Sequence, residues 1–107
     1  MANEQRRRQL SARLHELLGS DEVYFQGKGT KIDMTYPAIR YNRASNVRKP
    51  ADNNAAYLNR DGYQVTIIAL DPTYDLGLNF AEYFDYCSYD RWYTADGLNH
   101  WVYTLYF

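Results

Sequence analysis

The spacing of apolar positions changes along this chain, and each change marks an element. In "NEQRRRQLSARLHELLGS", Leu10, Leu14, Leu17 and Leu18 form one stripe at helical spacing, while Arg6, Arg7, Arg13 and Glu16 fall on the wet side. This predicts a helix over about residues 3–18, capped by Asn3 and stopped by a left-handed Gly19. "EVYFQ" follows as a short strand. "DMTYPAIRYNRA" is a second strand, in which Pro37 points to an edge or a bulge because it has no N–H to give a neighbour. "SNVRKPADNNAAYLNRDG" is polar and turn-rich, a connection of the length usually kept for functional loops.

Alternation then takes over. Along "YQVTIIAL", Tyr63, Val65 and Ile67 face one way and Thr66, Ile68 and Leu70 the other, so both faces are largely apolar and the strand belongs in the middle of a sheet. After "DPT", Leu76, Phe80, Tyr83 and Phe84 return to helical spacing, a second helix that covers one face of the sheet. "CSYDRWYTADGLNHWVYTLYF" closes the pattern as a hairpin over about residues 87–107, since Asp-Gly between two aromatic runs fits a two-residue turn. Placing Asp96 and Gly97 in that turn sets Thr94 opposite Asn99, Tyr93 opposite His100, Trp92 opposite Trp101 and Asp90 opposite Tyr103. The expected fold is a single α+β domain, residues 1–107. It has a small mixed, mainly antiparallel sheet, an N-terminal helix and a second helix before the C-terminal β-hairpin.

Composition sharpens this picture in two places. Aromatic residues make up 17% of the chain and include 12 tyrosines, a mixture that argues for folding and against disorder. Charge is split as well: residues 1–50 hold ten Arg and Lys against five Asp and Glu, and residues 51–107 hold two against eight. Such a split is often an accident of composition, and the alternative is that one copy's basic surface meets the next copy's acidic one, as head-to-tail association would require. The Arg6-Arg7-Arg8 cluster reads chiefly as a solvated face, with phosphate contact the lesser alternative. No apolar run approaches the roughly 20 residues of a membrane helix, and no secretory signal follows the basic start. The chain is expected to be soluble and cytoplasmic, without cofactor or membrane.

Candidate chemistry is sparse. The single cysteine excludes an internal disulfide, and with two histidines it leaves no zinc-ligand spacing. In the hairpin register Cys87 falls near Tyr106, which separates it from His100 by roughly 20 Å, when a nucleophile and its base need about 3 Å. Asp90 and Arg91 are expected on opposite faces and therefore not as an ion pair. No nucleotide-binding glycine motif or useful carboxylate pair appears, so no catalytic residue and no metal site is expected. Aromatic surplus is the feature left to explain. Trp101, Tyr103, Leu105 and Phe107 share one face of the last strand, with Val102 and Tyr106 on the other. Trp92, Trp101, Tyr103 and Tyr106 are the candidate oligomer or docking surface, weighed against helices covering both faces.

"YPAIRYNRA", "YQVTII" with "LDPT", and the terminal "CSYDRWYTADGLNHWVYTLYF" resemble the tail terminator, or tail completion, proteins of long-tailed bacteriophages. The likeness covers roughly residues 20–107 and rests on element order and the terminal motif. It implies a small sheet flanked by helices and assembled as a six-membered ring at the head–tail joint. Such a ring would end tail-tube growth, meet the tail tube protein and the head-side neck proteins, and pass genomic DNA through its lumen with transient contact. The expected location is the virion neck, after synthesis in the host cytoplasm. The resemblance carries over no catalytic residues. Arg40, Arg43, Arg48 and Lys49 are candidates to face the tube, the lumen or the next ring. A head-side adaptor or stopper is the nearest alternative, and a single-strand nucleic-acid module using Tyr and Trp as stacking platforms is a further one.

Overall fold

The computed structural model describes residues 2–25, 35–44 and 61–107. Helix α1 runs Ala2–Leu18, followed by strands β1, Val23–Phe25, β2, Ala38–Arg43, and β3, Gly62–Ala69. Helix α2, Asp75–Asn79, leads into a 3-10 turn, Phe80–Tyr83. Strands β4, Cys87–Ala95, and β5, Leu98–Tyr106, complete a five-stranded sheet of order β1-β2-β3-β5-β4. Only β1 and β2 run parallel; the β2–β3, β3–β5 and β5–β4 pairs are antiparallel. This is the α+β mixed sheet that the pattern predicts.

Each element follows from its residues. Leu10 and Leu14 carry α1 into the core, and Leu17 and Leu18 pack at its margin. Gly19 takes φ +79° and its N–H bonds the His15 carbonyl at 2.8 Å, the left-handed stop expected there. The start differs: α1 already includes Ala2, so Asn3 lies inside the helix instead of capping it. Strand β3 is central and buried on both faces, with Val65 and Ile67 fully enclosed, Ile68 2% exposed and Thr66 5% exposed. Pro37 precedes β2 and leaves its ladder intact, so β2 is an inner strand and β1 takes the edge. The second helix is shorter than its spacing suggests, because Asn79 leaves helical geometry at φ −120°, ψ 16° and the chain tightens into the 3-10 turn.

One face of the sheet carries both helices. Helix α1 lies across β1 and β2, α2 across β3 and β5, and the 3-10 turn reaches β4. Beneath them Ile39, Tyr41, Tyr63, Val65, Trp101 and Leu105 form the core with Phe80. Burying side chains of this size stabilises by about 1.5–3 kcal/mol each before chain entropy is charged against it. Ring contacts run through that layer, from Phe25–Tyr41 at 4.9 Å and Tyr41–Tyr63 at 6.0 Å to Phe80–Tyr103 at 5.1 Å and Tyr103–Tyr89 at 5.6 Å. On the opposite face Ala38, Ile68, His100 and Val102 are buried too.

The hairpin turn is as expected, with Asp96 at φ 55° and Gly97 at φ 74°. Thr94–Asn99, Tyr93–His100 and Trp92–Trp101 pair as the register requires. Beyond Arg91 the register changes. Asp90 is an extra residue in a β-bulge, so Tyr89, not Asp90, faces Tyr103, and Cys87 faces Leu105. The bulge also brings Asp90 and Arg91 together as an ion pair, which simple alternation excludes.

Candidate functional site

The bulge decides where the surplus aromatic surface lies. With one extra residue between them, Tyr89 and Trp92 both emerge on the helix-bearing face, although three positions apart they would alternate in a regular strand. That face is not fully roofed. Helix α2 has five residues and the 3-10 turn four, too short a cover to reach the outer edge of β4. What remains is an open groove of about 450 Å³. Trp101 and Tyr103 form its floor, Tyr89 and Trp92 one wall, and Leu78 and Glu82 the other. Tyr89 is 57% exposed, Leu78 53% and Trp92 49%.

Buried polar contacts fix the walls. The Asn99 amide donates to the Ala69 and Leu70 carbonyls at 3.3 and 3.1 Å, and its Oδ1 accepts from the Trp92 indole N–H at 3.3 Å. The exposed Trp92 ring is therefore oriented from beneath. Tyr103 donates its hydroxyl to the Gly77 carbonyl at 2.5 Å, which locks α2 onto β5. Gly77 permits this approach, since a Cβ there would stand 2.4 Å from the Trp101 ring.

These positions correct the candidate surface. Trp101 and Tyr103 are only 3% and 2% exposed, so they support the groove without presenting a docking face. Tyr106 is half-buried. Trp92 is exposed, and Tyr89 and Leu78 join it. Sequence reasoning missed both partners, although one signal was present: apolar residues in "CSYDRW" fall at 87, 89 and 92, a slip of phase that marks a bulge.

The basic residues divide. Arg40 is exposed on β2. Arg43 lies 6.0 Å from the Phe25 ring centre, 5.8 Å from that of Tyr63 and 3.8 Å from a Glu4 oxygen, so it belongs to the fold. Arg48 and Lys49 lie outside the described residues. The arginines of α1 are also more than a solvated face. Arg6 stands over Phe107 at 4.9 Å, Arg7 over Phe25 at 4.4 Å and Arg13 over Phe84 at 5.2 Å. Arg7 additionally donates to Glu4 and to the Tyr41 hydroxyl.

Cys87 and His100 do not form a site. Five residue pairs separate them along the ladder, about 17 Å at strand spacing. Burial pushes the Cys87 thiol up to about 12, the opposite of an activated nucleophile. His100 stacks on Tyr93 at 4.6 Å, and its Nδ1–H donates to the Leu98 carbonyl at 3.2 Å. Burial holds its pKa below the ordinary value. Among the described residues, no three or more His, Cys, Asp or Glu side chains gather to hold a metal ion. No described helix is long and apolar enough to cross a membrane. Comparison with protein-family models, curated proteins and solved structures finds no match to this chain.

Proposed function

We propose that this chain is a structural subunit of the neck of a long-tailed bacteriophage. Copies of it form a ring that ends the tail tube and joins tail to head, with DNA passing through the lumen. The observation that carries this reading is the open groove walled by Tyr89, Trp92 and Leu78, held in shape by Asn99 and Gly77. An exposed, pre-oriented Trp and Tyr over a rigid floor has the character of the anchor region of a protein interface. The likeness of the terminal hairpin motif to tail terminators supplies the setting. Arg40 keeps an exposed cation available to the tube, the lumen or an adjacent ring.

The exposed rings also suit base stacking, which keeps a single-strand nucleic-acid module as the second reading. Its weakness is charge: Glu82 lines the groove, and the bulge beside it carries Asp90. Phosphates approaching these rings meet carboxylates.

Electron microscopy of virions labelled with an antibody to this chain tests the neck assignment. Label at the head–tail junction is expected. Its absence there, with the epitope shown to be accessible in opened particles, would refute the role. Salt-sensitive binding of single-stranded oligonucleotides that is lost in Trp92→Ala would favour the second reading instead.

A further inference from the structure

The strand registers run evenly through the sheet except in one place. The β1–β2, β2–β3 and β3–β5 pairs step residue by residue, and the shift among the described pairs is the extra Asp90 in β4. Strand β4 is also an edge, nine residues long, with no described strand on its outer side. Every residue from Ser88 to Trp92 is exposed. The other edge, β1, has three residues and packs against α1. A long open edge rich in Tyr, Trp and Thr is a template for another strand, because an edge presents N–H and C=O groups without ladder partners. The groove does not require the extra residue. Without Asp90, Tyr89 would adjoin Arg91 just as their partners Tyr103 and Val102 adjoin each other, and Tyr89 and Trp92 would still share one face.

We infer that the Asp90 bulge guards this edge: it prevents β4 from accepting a further strand, whether from another copy or from a foreign peptide. A pairing strand needs hydrogen-bonding groups that repeat every two residues, about 6.8 Å. The bulge puts the two parts of β4 out of step and bends the strand between them. An incoming strand can follow Cys87–Tyr89, three residues, or Arg91–Ala95, five, but not both in one register. At the step stand Asp90 and Arg91, paired at 2.5 Å and both well exposed, whose charges a covering strand would strip of water. The device leaves the side chains of Tyr89 and Trp92 open while closing the backbone beside them. In the proposed ring, copies that meet at the groove therefore meet through side chains and do not extend one another's sheets. The guard goes beyond the ring-subunit reading, and it holds or fails without virions.

Deletion of Asp90 makes β4 regular while keeping every pair with β5. The deletion is compared with the full chain and with the double variant Asp90→Asn, Arg91→Thr, which keeps the extra residue without its charges. After incubation at about 0.1 mM, the deletion is expected to give sedimenting, thioflavin-positive assemblies, while the parent and the double variant do not. In amide hydrogen exchange, the outward amides of β4 should exchange about tenfold more slowly in those assemblies than in the parent. A parent that associates through groove side chains keeps the same amides fast. A deletion variant that melts cooperatively and adds no strand, or a double variant that assembles as readily, would overturn the inference. Should the deletion variant not melt cooperatively, the parent decides. A peptide of the β5 sequence, with lysines added for solubility and offered at about 1 mM, is expected to leave the β4 amides of the full chain unprotected. Protection along β4 would overturn the guard. Neither result bears on label at the virion neck, so failure here and failure of the neck role are told apart.

Discussion

The two ends of the helix-bearing face contain the same kind of material and treat it differently. At the α1 end, Phe25, Phe84 and Phe107 lie under the guanidinium groups of Arg7, Arg13 and Arg6. The cations there close the margin of the core, and Arg13 also donates to the Tyr83 carbonyl at 2.9 Å. At the β4 end, Tyr89 and Trp92 stand in the open, and the arginine of that strand turns to Asp90 and Tyr93. Aromatic content alone does not distinguish core from interface. The distinction comes from what is placed over the rings, and it follows from a long helix at one end and a nine-residue α2–3-10 segment at the other.

The largest expected effect lies under the groove. Trp101→Ala removes the groove floor and the partner of Trp92, and should destabilise by about 3–5 kcal/mol in urea unfolding. An unchanged midpoint would break the claim that this ring belongs to the core. Next comes Gly77→Ala, whose added methyl meets the Trp101 ring at 2.4 Å. A loss of about 1–3 kcal/mol is expected from overpacking, together with a shift of the Trp101 indole resonance as α2 moves.

At the closed end, Arg7→Ala should cost about 1 kcal/mol, from the lost Phe25 contact and the bonds to Glu4 and Tyr41. Glu4→Gln keeps the ring contact and should cost less. If the two variants are equal, the guanidinium acts through the carboxylate alone and the comparison of the two ends loses its basis.

A smaller effect appears on acidification. Burial lowers the His100 pKa, with the charge of Arg40 acting in the same direction and the Leu98 carbonyl and Asp96 opposing. The unfolded chain therefore takes up this proton first, near about pH 6.5. The histidine contribution is complete above that value and declines as pH falls through it towards the lower folded-state pKa. His100→Gln should flatten the stability profile in this window. A second decline, at lower pH, belongs to carboxylates whose pKa values are lowered by hydrogen bonds, Glu22 by Tyr24 and Asp71 by Thr73.

Much of this fold was legible in the sequence. Leucine spacing gave the core face of α1, two-sided alternation placed β3 at the centre, and Asp-Gly set the first pairs of the hairpin. Those signals are local, and they agree with the packing. The bulge at Asp90 was not read, because the turn fixes register only until an extra residue intervenes. Everything beyond it moved by one position, including Cys87, Tyr89 and the Asp90–Arg91 pair. The arginine lids were invisible for another reason. Arg6 and Phe107 stand at opposite ends of the described chain, and only the completed sheet brings them together. The candidate surface was half legible: exposed Trp92 was identified, whereas Leu78 and Tyr89 depend on the length of α2 and on the bulge.

One end of the helix-bearing face is closed by arginines, and the other is left open as a groove. Backbone amide resonances of the full chain, followed as concentration rises, test this most directly. A group of shifting amides is expected at the groove. They lie around Leu78–Glu82 and Tyr89–Trp92, where copies meet in the proposed ring, while Val65, Ile67 and Leu105 stay in place. Shifts that leave the groove untouched, or a spectrum independent of concentration, would contradict the groove as the contact between copies.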